Sequence, residues 1–292
     1  MPATLLEGAP IADQIKAEVR AAVAKMATPP KLAAVLATDN KGAAFYAKAQ
    51  AKACEEVGIR YELIELGAAA DQAAIEAKIG ELNADRDVTG IILLMPLPPG
   101  VDARAAQGKI NPNKDVDGVH PANLGRVVQG STTLAPCTAQ AVFALAKASG
   151  VCLFDDPKAA CGKGINACVV GHSEIVGKPS ALLLLDKFCT TTVCHIGTAD
   201  LKEHTTRADL LVVAVGVPGL VRGEHIKPGA VVLDVGINRI KDAEGKTQTV
   251  GDVLFEEAVE IASQITPVPG GVGTVTTAML LKNVIDAANL AS

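Results

Sequence analysis

The sequence predicts an α/β fold with two domains: an N-terminal α/β domain with a parallel sheet, then a Rossmann-like domain. Its 292 residues are enough for two ordinary domains, and 49% of them are apolar. Aromatic residues make up only 2% and tryptophan is absent, so small aliphatic residues must fill the core, which suits parallel sheets covered by helices. Short apolar runs alternate with helical patterns, as βαβ units require.

The first part of the chain has a βαβαβ pattern preceded by a helix. Apolar residues at helical spacing predict that first helix over residues 10–27. Three strands are expected after it: Leu32–Ala37, Tyr61–Leu66 and Gly90–Met95. Two helices are expected between them: Ala43–Val57 and Gln72–Asn83. Gly58 is predicted to end the longer helix, because glycine readily adopts the left-handed cap conformation.

The second part restarts the pattern and predicts the Rossmann-like domain. A helix over Ala139–Ala148, with Thr138 as its N-cap, marks the boundary. Four strands are expected: Asn166–Val170, Thr191–His195, Leu210–Ala214 and Val231–Val235. One helix, Pro179–Leu185, follows the first of these strands, and a C-terminal helix covers Thr276–Leu290. The predicted division is residues 1–140 plus 276–292 for one domain and residues 141–275 for the other.

Composition argues against several functional classes. The net charge is −5 and there is no basic run with interleaved aromatics, so no nucleic-acid partner is expected. No signal peptide and no membrane-spanning segment are predicted, and the expected location is the cytoplasm. The seven cysteines are scattered without a CxxC pair, which favours reduced thiols and no metal site.

Two glycine-containing turns predict ligand contacts by the backbone. Gly270, Gly271 and Gly273 lie between an apolar run and a helical pattern, where backbone N–H groups can face a ligand. The turn from Gly171 to Gly177 follows a strand and precedes a helix, which suits a dinucleotide pyrophosphate although it is not a GxGxxG sequence.

The choice between NAD and NADP is expected to depend on the end of the next strand. An acid there is typical of NAD enzymes and a basic group of NADP enzymes, but this chain has Ile196 and Gly197. His172, in the first turn, could contact a phosphate when protonated, but imidazole is mostly neutral at pH 7. The sequence therefore leaves both cofactors open and favours NAD.

Side chains in the first domain provide further candidates. Asp115 and Asp117 are two residues apart in a loop, so they should point to opposite sides, and one buried acid is expected to recognise an amide-like ring edge. Tyr46 and Gln50 share one helix face, whereas Lys48 and Lys52 fall on other faces and are interpreted as solvated charges.

Several strings spread over nearly the whole chain resemble one family, the methylenetetrahydrofolate dehydrogenase/cyclohydrolases. They are Tyr46 with Lys52-Ala-Cys-Glu-Glu-Val-Gly58, Pro96-Leu-Pro98, Lys114-Asp-Val-Asp-Gly118, Pro136-Cys-Thr138, Gly171-x-Ser-x-Ile-Val-Gly-Lys-Pro179, Lys227-Pro-Gly-Ala230, Val250-Gly-Asp-Val253 and Thr266-Pro-Val-Pro-Gly-Gly-Val-Gly273. The resemblance implies a homodimer whose chains each bind a tetrahydrofolate-type carrier in the cleft between two domains, with the last helix returning to the first domain. It also implies hydride transfer from the one-carbon bridge of methylene-tetrahydrofolate to NAD or NADP.

The resemblance assigns roles residue by residue. The catalytic positions correspond to Tyr46, Gln50 and Asp117, of which Asp117 is expected to hydrogen-bond the pterin and Tyr46 to pack beside the aminobenzoyl group. Further substrate-side positions are Leu94, Pro269, Gly270 and Gly271. Cofactor positions are Gly171, His172, Ser173, Ile175, Val176, Gly177, His195, Gly216, Gly236, Gly273 and Thr276.

The chain departs from the family at two linked positions. The family's catalytic lysine is replaced by Gln50, and its supporting glutamine by Leu94. Because hydrolysis of the methenyl cation relies on that pair for proton transfer, the hypothesis is a dehydrogenase that has lost cyclohydrolase activity. The alternatives are a bifunctional enzyme with another acid–base group, a methylene-tetrahydromethanopterin dehydrogenase, and a non-catalytic pterin-binding protein.

Smaller departures lie nearby. Ala43 stands where the family has serine, Thr274-Val275 replaces Pro-Met, and Ile196-Gly197 replaces basic or hydroxyl residues.

Overall fold

The computed structural model describes residues 2–154, 164–241 and 245–291. Contacts between these residues divide the chain into two compact units. The three-stranded unit comprises Asp13–Cys137 and Thr277–Ser292, and the six-stranded unit comprises Met1–Ala12 and Thr138–Thr276. Each unit is an α/β structure with a parallel sheet, so the predicted fold class is confirmed.

The three-stranded unit is built on β2 (Lys31–Leu36), with β3 (Arg60–Glu65) on one side and β4 (Gly90–Leu94) on the other, all parallel. The central strand is buried along almost its whole length, whereas β3 has charged residues at three of its six positions and is largely exposed, as an edge strand can be. Helices of this unit are α1 (Ala9–Val23), α2 (Lys41–Val57), α3 (Gln72–Ala84), α4 (Ala103–Gln107) and α5 (Pro121–Val128). The first residues of α1 belong to the other unit.

Local signals set the ends of α2. The side chain of Asn40 accepts hydrogen bonds from the backbone N–H groups of Gly42 and Ala43 at 2.8 and 3.1 Å, which caps the amino end. Gly58 has a φ of 82°, so the predicted left-handed cap is confirmed. These caps fix which α2 residues face the sheet, among them Gln50.

The six-stranded unit has a parallel sheet with strand order β1-β11-β8-β7-β5-β6 among the described residues. Its strands are β1 (Thr4–Leu5), β5 (Asn166–Val170), β6 (Thr190–Cys194), β7 (Leu210–Val213), β8 (Val231–Asp234) and β11 (Gln264–Ile265). An antiparallel hairpin, β9 (Asn238–Lys241) and β10 (Thr247–Val250), follows β8. The helices are α6 (Cys137–Ala148), α7 (Gly177–Asp186), α8 (Leu201–Thr205), α9 (Phe255–Ala258) and the start of α10 (Val272–Ala291).

Four features differ from the sequence predictions. The first helix ends at Val23 rather than at residue 27, ahead of Pro29 and Pro30, which favour extended backbone before them. Helix α6 begins at Cys137, so Thr138 lies inside the helix and is not its N-cap. Helix α10 begins at Val272, four residues before the predicted start, because the helix begins inside the glycine loop.

The fourth difference concerns the first residues of the chain. Strand β1 pairs in parallel with β11, so residues up to Ala12 group with the six-stranded unit rather than with residues 13–137. Strands of two residues carry too little pattern to be found in a sequence.

The described part of the chain contains no helix long and apolar enough to cross a membrane. The six cysteines within it are free thiols, and Cys161 lies outside the described residues.

Candidate active site

The acidic loop of the three-stranded unit is shaped by Asp115. This carboxylate is fully buried and accepts hydrogen bonds from the backbone N–H groups of Gly118 at 3.1 Å and His120 at 2.8 Å. It also accepts one from the side-chain amide of Asn123 at 2.8 Å. Because its acceptor sites are turned into the loop, Asp115 holds the loop in shape.

Asp117 lies on the same loop and is partly exposed, which makes it the acid available to a ligand. The next residue, Gly118, has a φ of 77°, and a Cβ there would overlap the backbone of Ala135. Asn283, from α10, donates to the carbonyl oxygens of Val116 at 2.8 Å and Ala135 at 3.0 Å. This buried amide joins both segments beside Asp117, and sequence reasoning missed it.

Asp117 and Tyr46 both have raised pKa values, but they differ in protonation state near neutral pH. Burial and the nearby charge of Asp115 raise the pKa of Asp117 to about 7, so both of its protonation states are present near neutral pH. Burial, followed by the charges of Asp117 and Cys137, raises the pKa of the Tyr46 phenol, although its polar neighbours Gln50 and Thr277 act the other way. Tyr46 therefore stays protonated and can serve as a hydrogen-bond donor.

Gln50, which the resemblance predicts to replace the family's lysine, is fully buried. The hydroxyl of Tyr61, on β3, donates to Gln50 Oε1 at 3.2 Å, and the buried Nε2 has no hydrogen-bond partner among the residues that the structure describes. The amide neither titrates nor reaches solvent. Tyr61 was not identified from the sequence, because a partner eleven positions away on another element leaves no local pattern.

Leu94 ends β4, is 2% exposed and lies opposite Leu36 in the sheet. Its side chain is apolar and has no hydrogen-bonding group. Lys48 and Lys52 are exposed, so their interpretation as solvated charges is confirmed.

The six-stranded unit forms the predicted turn between β5 and α7. Gly171 has a φ of 122°, and a Cβ on it would overlap the carbonyl oxygen of Ala214. A Cβ on Gly177 would overlap the carbonyl oxygen of Gly171. The hydroxyl of Ser173 accepts hydrogen bonds from the N–H groups of Val176 and Gly177 at 3.2 and 3.3 Å. The result is a compact turn at a helix N-terminus, which fits the pyrophosphate of a dinucleotide.

Two buried carboxylates hold the loops that follow β7 and β8. Asp252 is fully buried and accepts hydrogen bonds from the N–H groups of Val215 at 2.6 Å and Gly216 at 2.9 Å. Asp234 accepts them from the N–H groups of Gly236 at 2.9 Å and Asp252 at 3.0 Å. The predicted cofactor positions Gly216 and Gly236 are thus tied to one acidic pair.

This acidic pair was not identified from the sequence, although Asp252 belongs to the family string Val250–Val253. Burial raises the pKa of Asp234 to about 6 against the opposing effect of its backbone hydrogen bonds.

Exposed aliphatic side chains follow four neighbouring strands. They are Ile175 after β5, Ile196 after β6, Val217 after β7 and Ile237 after β8. Large exposed aliphatics at the carboxyl ends of parallel strands offer apolar contacts to the rings of a bound nucleotide.

Two predicted cofactor residues lie side by side in this unit. The imidazole rings of His172 and His195 have centroids 5.1 Å apart.

The glycine loop before α10 is anchored to the start of the chain. The N–H of Gly8 donates to the carbonyl oxygen of Gly270 at 2.8 Å, and a Cβ on Gly8 would overlap the carbonyl oxygen of Gly271. Pro269, Gly270 and Gly273 are exposed, whereas Gly271 is buried.

Thr276 was predicted to contact the cofactor. Its hydroxyl donates to the carbonyl oxygen of Val272 at 3.0 Å, within the first turns of α10.

The whole chain is similar to proteins of one family. The family model described as "Tetrahydrofolate dehydrogenase/cyclohydrolase, catalytic domain" matches residues 6–117. The family model described as "Tetrahydrofolate dehydrogenase/cyclohydrolase, NAD(P)-binding domain" matches residues 136–292. The chain is 44% identical over 291 residues, 99% of each protein, to the bifunctional protein FolD of Moorella thermoacetica.

Two solved structures are similar over almost their full length. The bifunctional methylenetetrahydrofolate dehydrogenase/cyclohydrolase of Campylobacter jejuni is 40% identical with a TM-score of 0.90, covering 98% of this chain and 99% of the other. The enzyme of Trypanosoma brucei, in complex with NADP and an inhibitor, is 36% identical with a TM-score of 0.91, covering 99% of this chain and 98% of the other.

Proposed function

The chain belongs to the tetrahydrofolate dehydrogenase/cyclohydrolase family, as its motifs predicted, and on that premise we propose that it is an NAD(P)-dependent methylenetetrahydrofolate dehydrogenase without cyclohydrolase activity. The observation that carries the proposal is the state of Gln50. It stands in place of the family's lysine, is fully buried, and is held by the hydroxyl of Tyr61.

The dehydrogenase step does not need an acid or base from the protein. Hydride leaves the one-carbon bridge, and the methenyl cation that forms is stabilised by its two flanking nitrogens. When bound, the nicotinamide coenzyme supplies the hydride acceptor. The protein must hold the reacting atoms within roughly 3–3.5 Å of each other. In this proposal, ionised Asp117 accepts hydrogen bonds from the pterin edge and Tyr46 packs beside the aminobenzoyl group.

Hydrolysis of the methenyl cation, by contrast, needs a group that transfers protons. Water must lose protons as it attacks, and a positioned acid–base group typically contributes about 10²–10⁴-fold in rate. The amide of Gln50 cannot titrate, and Leu94 cannot hydrogen-bond. The pair that would activate water is therefore absent at both positions.

One observation favours a second candidate, a bifunctional enzyme. The pKa of Asp117 is about 7, which suits a general acid or base at neutral pH. Asp117 could then replace the missing lysine. This candidate predicts hydrolysis that follows a single ionisation near pH 7 and disappears in Asp117→Asn.

For the cofactor we propose a preference for NAD. The turn after β6 presents Ile196, which is fully exposed, where an NADP enzyme has a basic group. The related Trypanosoma brucei enzyme was solved with NADP, so the proposed preference for NAD rests on Ile196 of this chain alone.

The test is a paired assay on purified protein. One reaction follows reduction of NAD or NADP with methylene-tetrahydrofolate, and the other follows decay of methenyl-tetrahydrofolate against buffer alone. Reduction with decay at the buffer rate is the expected result. Decay well above the buffer rate would establish the bifunctional candidate, and the Asp117→Asn variant would then show whether Asp117 is its acid–base group.

Failure of both reactions would contradict the proposal. The same assay with methylene-tetrahydromethanopterin would then test the other carrier, and pterin binding without turnover would indicate a binding protein. The homodimer implied by the resemblance stays a prediction, which light scattering of the purified protein would check.

A further inference from the structure

We propose that Tyr61 is a positioning residue of the substrate site: through the amide of Gln50 it directs a hydrogen bond onto the phenol oxygen of Tyr46, and so sets how Tyr46 meets the folate carrier. The inference rests on the proposed dehydrogenase function and deepens it.

Both tyrosines of the chain lie beside one buried amide. Tyr46 and Gln50 are at positions i and i+4 of α2 and therefore share one face of that helix, and Gln50 is a polar neighbour of the Tyr46 phenol. Tyr61 lies on β3, and its hydroxyl donates to Gln50 Oε1 at 3.2 Å. Gln50 is fully buried, whereas both tyrosines are half-buried. The amide thus connects two phenols that solvent partly reaches.

One end of this amide still lacks a partner. Tyr61 occupies the oxygen end, and the buried Nε2 has no hydrogen-bond partner in the described part of the chain. A buried amide N–H without an acceptor is unfavourable, so it is expected to pair with an acceptor on the same face. The next turn of α2 offers Cys54, but a thiol is a weak acceptor. The acceptor that remains on this face of the helix is the phenol oxygen of Tyr46.

The two phenols therefore have different roles. Tyr61 donates its hydroxyl hydrogen to Gln50, whereas Tyr46 receives a hydrogen bond on its oxygen and keeps its own O–H for the carrier. An oxygen that accepts a hydrogen bond also becomes a better donor, because hydrogen bonds in a chain polarise one another.

The hydroxyl of Tyr61 matters because an amide can be turned either way. With Oε1 toward Tyr46, the phenol would donate to Gln50 and its O–H would be lost to the carrier. By donating to Oε1, Tyr61 selects the orientation in which Nε2 faces Tyr46. A residue that does not touch the carrier thus fixes one that does.

The experiment compares Tyr61→Phe with the wild type in single-turnover reduction of the nucleotide by methylene-tetrahydrofolate, which separates hydride transfer from product release. The variant keeps the ring and removes the hydroxyl. The rate should fall by about tenfold, as expected for one lost hydrogen bond in a site that aligns reacting atoms, while the KM for the nucleotide stays unchanged. Glu65→Gln, an exposed position on the same strand, is the matched control and should react like the wild type.

A double-mutant cycle shows whether Tyr61 acts through Tyr46. Tyr46→Phe lacks the oxygen that accepts from Gln50, so adding Tyr61→Phe to it should slow the reaction no further. Gln50→Met removes the amide and should match Tyr61→Phe, which provides a second test if Tyr61→Phe does not fold. A wild-type rate in Tyr61→Phe, or an undiminished effect of that change in the Tyr46→Phe background, would overturn the inference.

A spectroscopic measurement needs no turnover. The chain has two tyrosines and no tryptophan, so the Raman ring doublet, whose intensity ratio reports whether a phenol donates or accepts, can be assigned by difference. Wild type minus Tyr46→Phe gives Tyr46 with Tyr61 present, and Tyr61→Phe gives Tyr46 without it. Acceptance by Tyr46 should weaken in the variant, and an identical Tyr46 signal in both would overturn the inference. Absence of turnover in the wild type would contradict the proposed dehydrogenase function, and the Raman comparison would still decide the role of Tyr61.

Discussion

The candidate site of the six-stranded unit depends on backbone shape, whereas that of the three-stranded unit depends on buried side chains. In the six-stranded unit, the turn from Gly171 to Gly177 is defined by backbone shape, because a Cβ on either glycine would overlap a backbone carbonyl oxygen. In the three-stranded unit, the site is defined by buried side chains: Asp115 shapes a loop, Asn283 clamps it, and Tyr61 holds Gln50. A site made of backbone survives many substitutions, whereas a site made of side chains can lose one activity and keep the fold.

The largest effect is expected from adding a methyl group to the backbone site. Gly171→Ala places a Cβ against the carbonyl oxygen of Ala214 at a residue whose φ is 122°. Both the overlap and the left-handed conformation oppose the native turn, so affinity for either nucleotide should fall by about 100-fold or more. Calorimetric titration with NAD and NADP measures it.

The control for that variant is Gly164→Ala in the same unit, where an added Cβ meets no atom within 4 Å. Nucleotide affinity equal to that of the wild type in Gly171→Ala would show that the turn does not carry binding.

The second prediction concerns the side-chain site. Restoring both family residues in Gln50→Lys/Leu94→Gln should raise the rate of methenyl-tetrahydrofolate hydrolysis by about 10²-fold, the lower range for a restored acid–base group. Gln50→Lys alone should give little, because Leu94 offers the new ammonium no acceptor. Decay of methenyl-tetrahydrofolate provides the readout.

Ala49→Lys serves as the matched control, since it adds the same charge at an exposed neighbouring position. A double variant that folds but hydrolyses no faster than the wild type would mean that Tyr61 or another neighbour also has to change.

The third prediction follows from the raised pKa of Asp117. Because this pKa is about 7, the carboxylate that accepts pterin hydrogen bonds is lost as the pH falls below 7. The KM for the folate carrier should rise about tenfold between pH 8 and pH 6, in proportion to the loss of the ionised form. In Asp117→Asn the KM should be high and nearly independent of pH.

The raised pKa of Asp117 also makes the free energy of unfolding decrease as the pH rises. The pKa of Asp117 is higher in the folded than in the unfolded protein, so the folded state binds the proton more tightly between about pH 4 and 7. Its contribution to the free energy of unfolding is greatest below that window and is lost as the pH rises through it. Asp117→Asn should remove this contribution, so denaturant unfolding of the variant at pH 5 and at pH 8 should differ less than that of the wild type.

The smallest effect is expected where a buried side chain supports a backbone site. Asp252→Asn replaces the carboxylate that accepts from Val215 and Gly216 by an amide with one acceptor oxygen. The KM for the nucleotide should rise by about tenfold, as expected for the loss of one hydrogen bond to a charged group, while the KM for the folate carrier stays unchanged. The exposed Glu260→Gln is the control, and an equal rise in both KM values would mean general destabilisation instead.

Much of the fold was accessible from the sequence because it depends on neighbours along the chain. The buried strands from Lys31 to Leu36 and from Asn166 to Val170 have continuous apolar runs, and the turn at Gly58 needs a residue that tolerates a positive φ. The departures at Gln50 and Leu94 stay predictions from the sequence, made because the family strings around them fix the positions where the resemblance expects a lysine and a glutamine.

The tertiary structure decided the rest. Asn283 donates to Val116, 167 residues earlier, and Asp252 holds the N–H groups of residues 36 and 37 positions earlier. His172 and His195 meet because their strands are neighbours in the sheet, and Tyr61 reaches Gln50 because β3 lies alongside the helix that carries it. By itself the sequence determined most of the longer elements and the glycine cap of α2. Which polar groups meet depends on how distant segments are brought together, and no short-range pattern of residues encodes that.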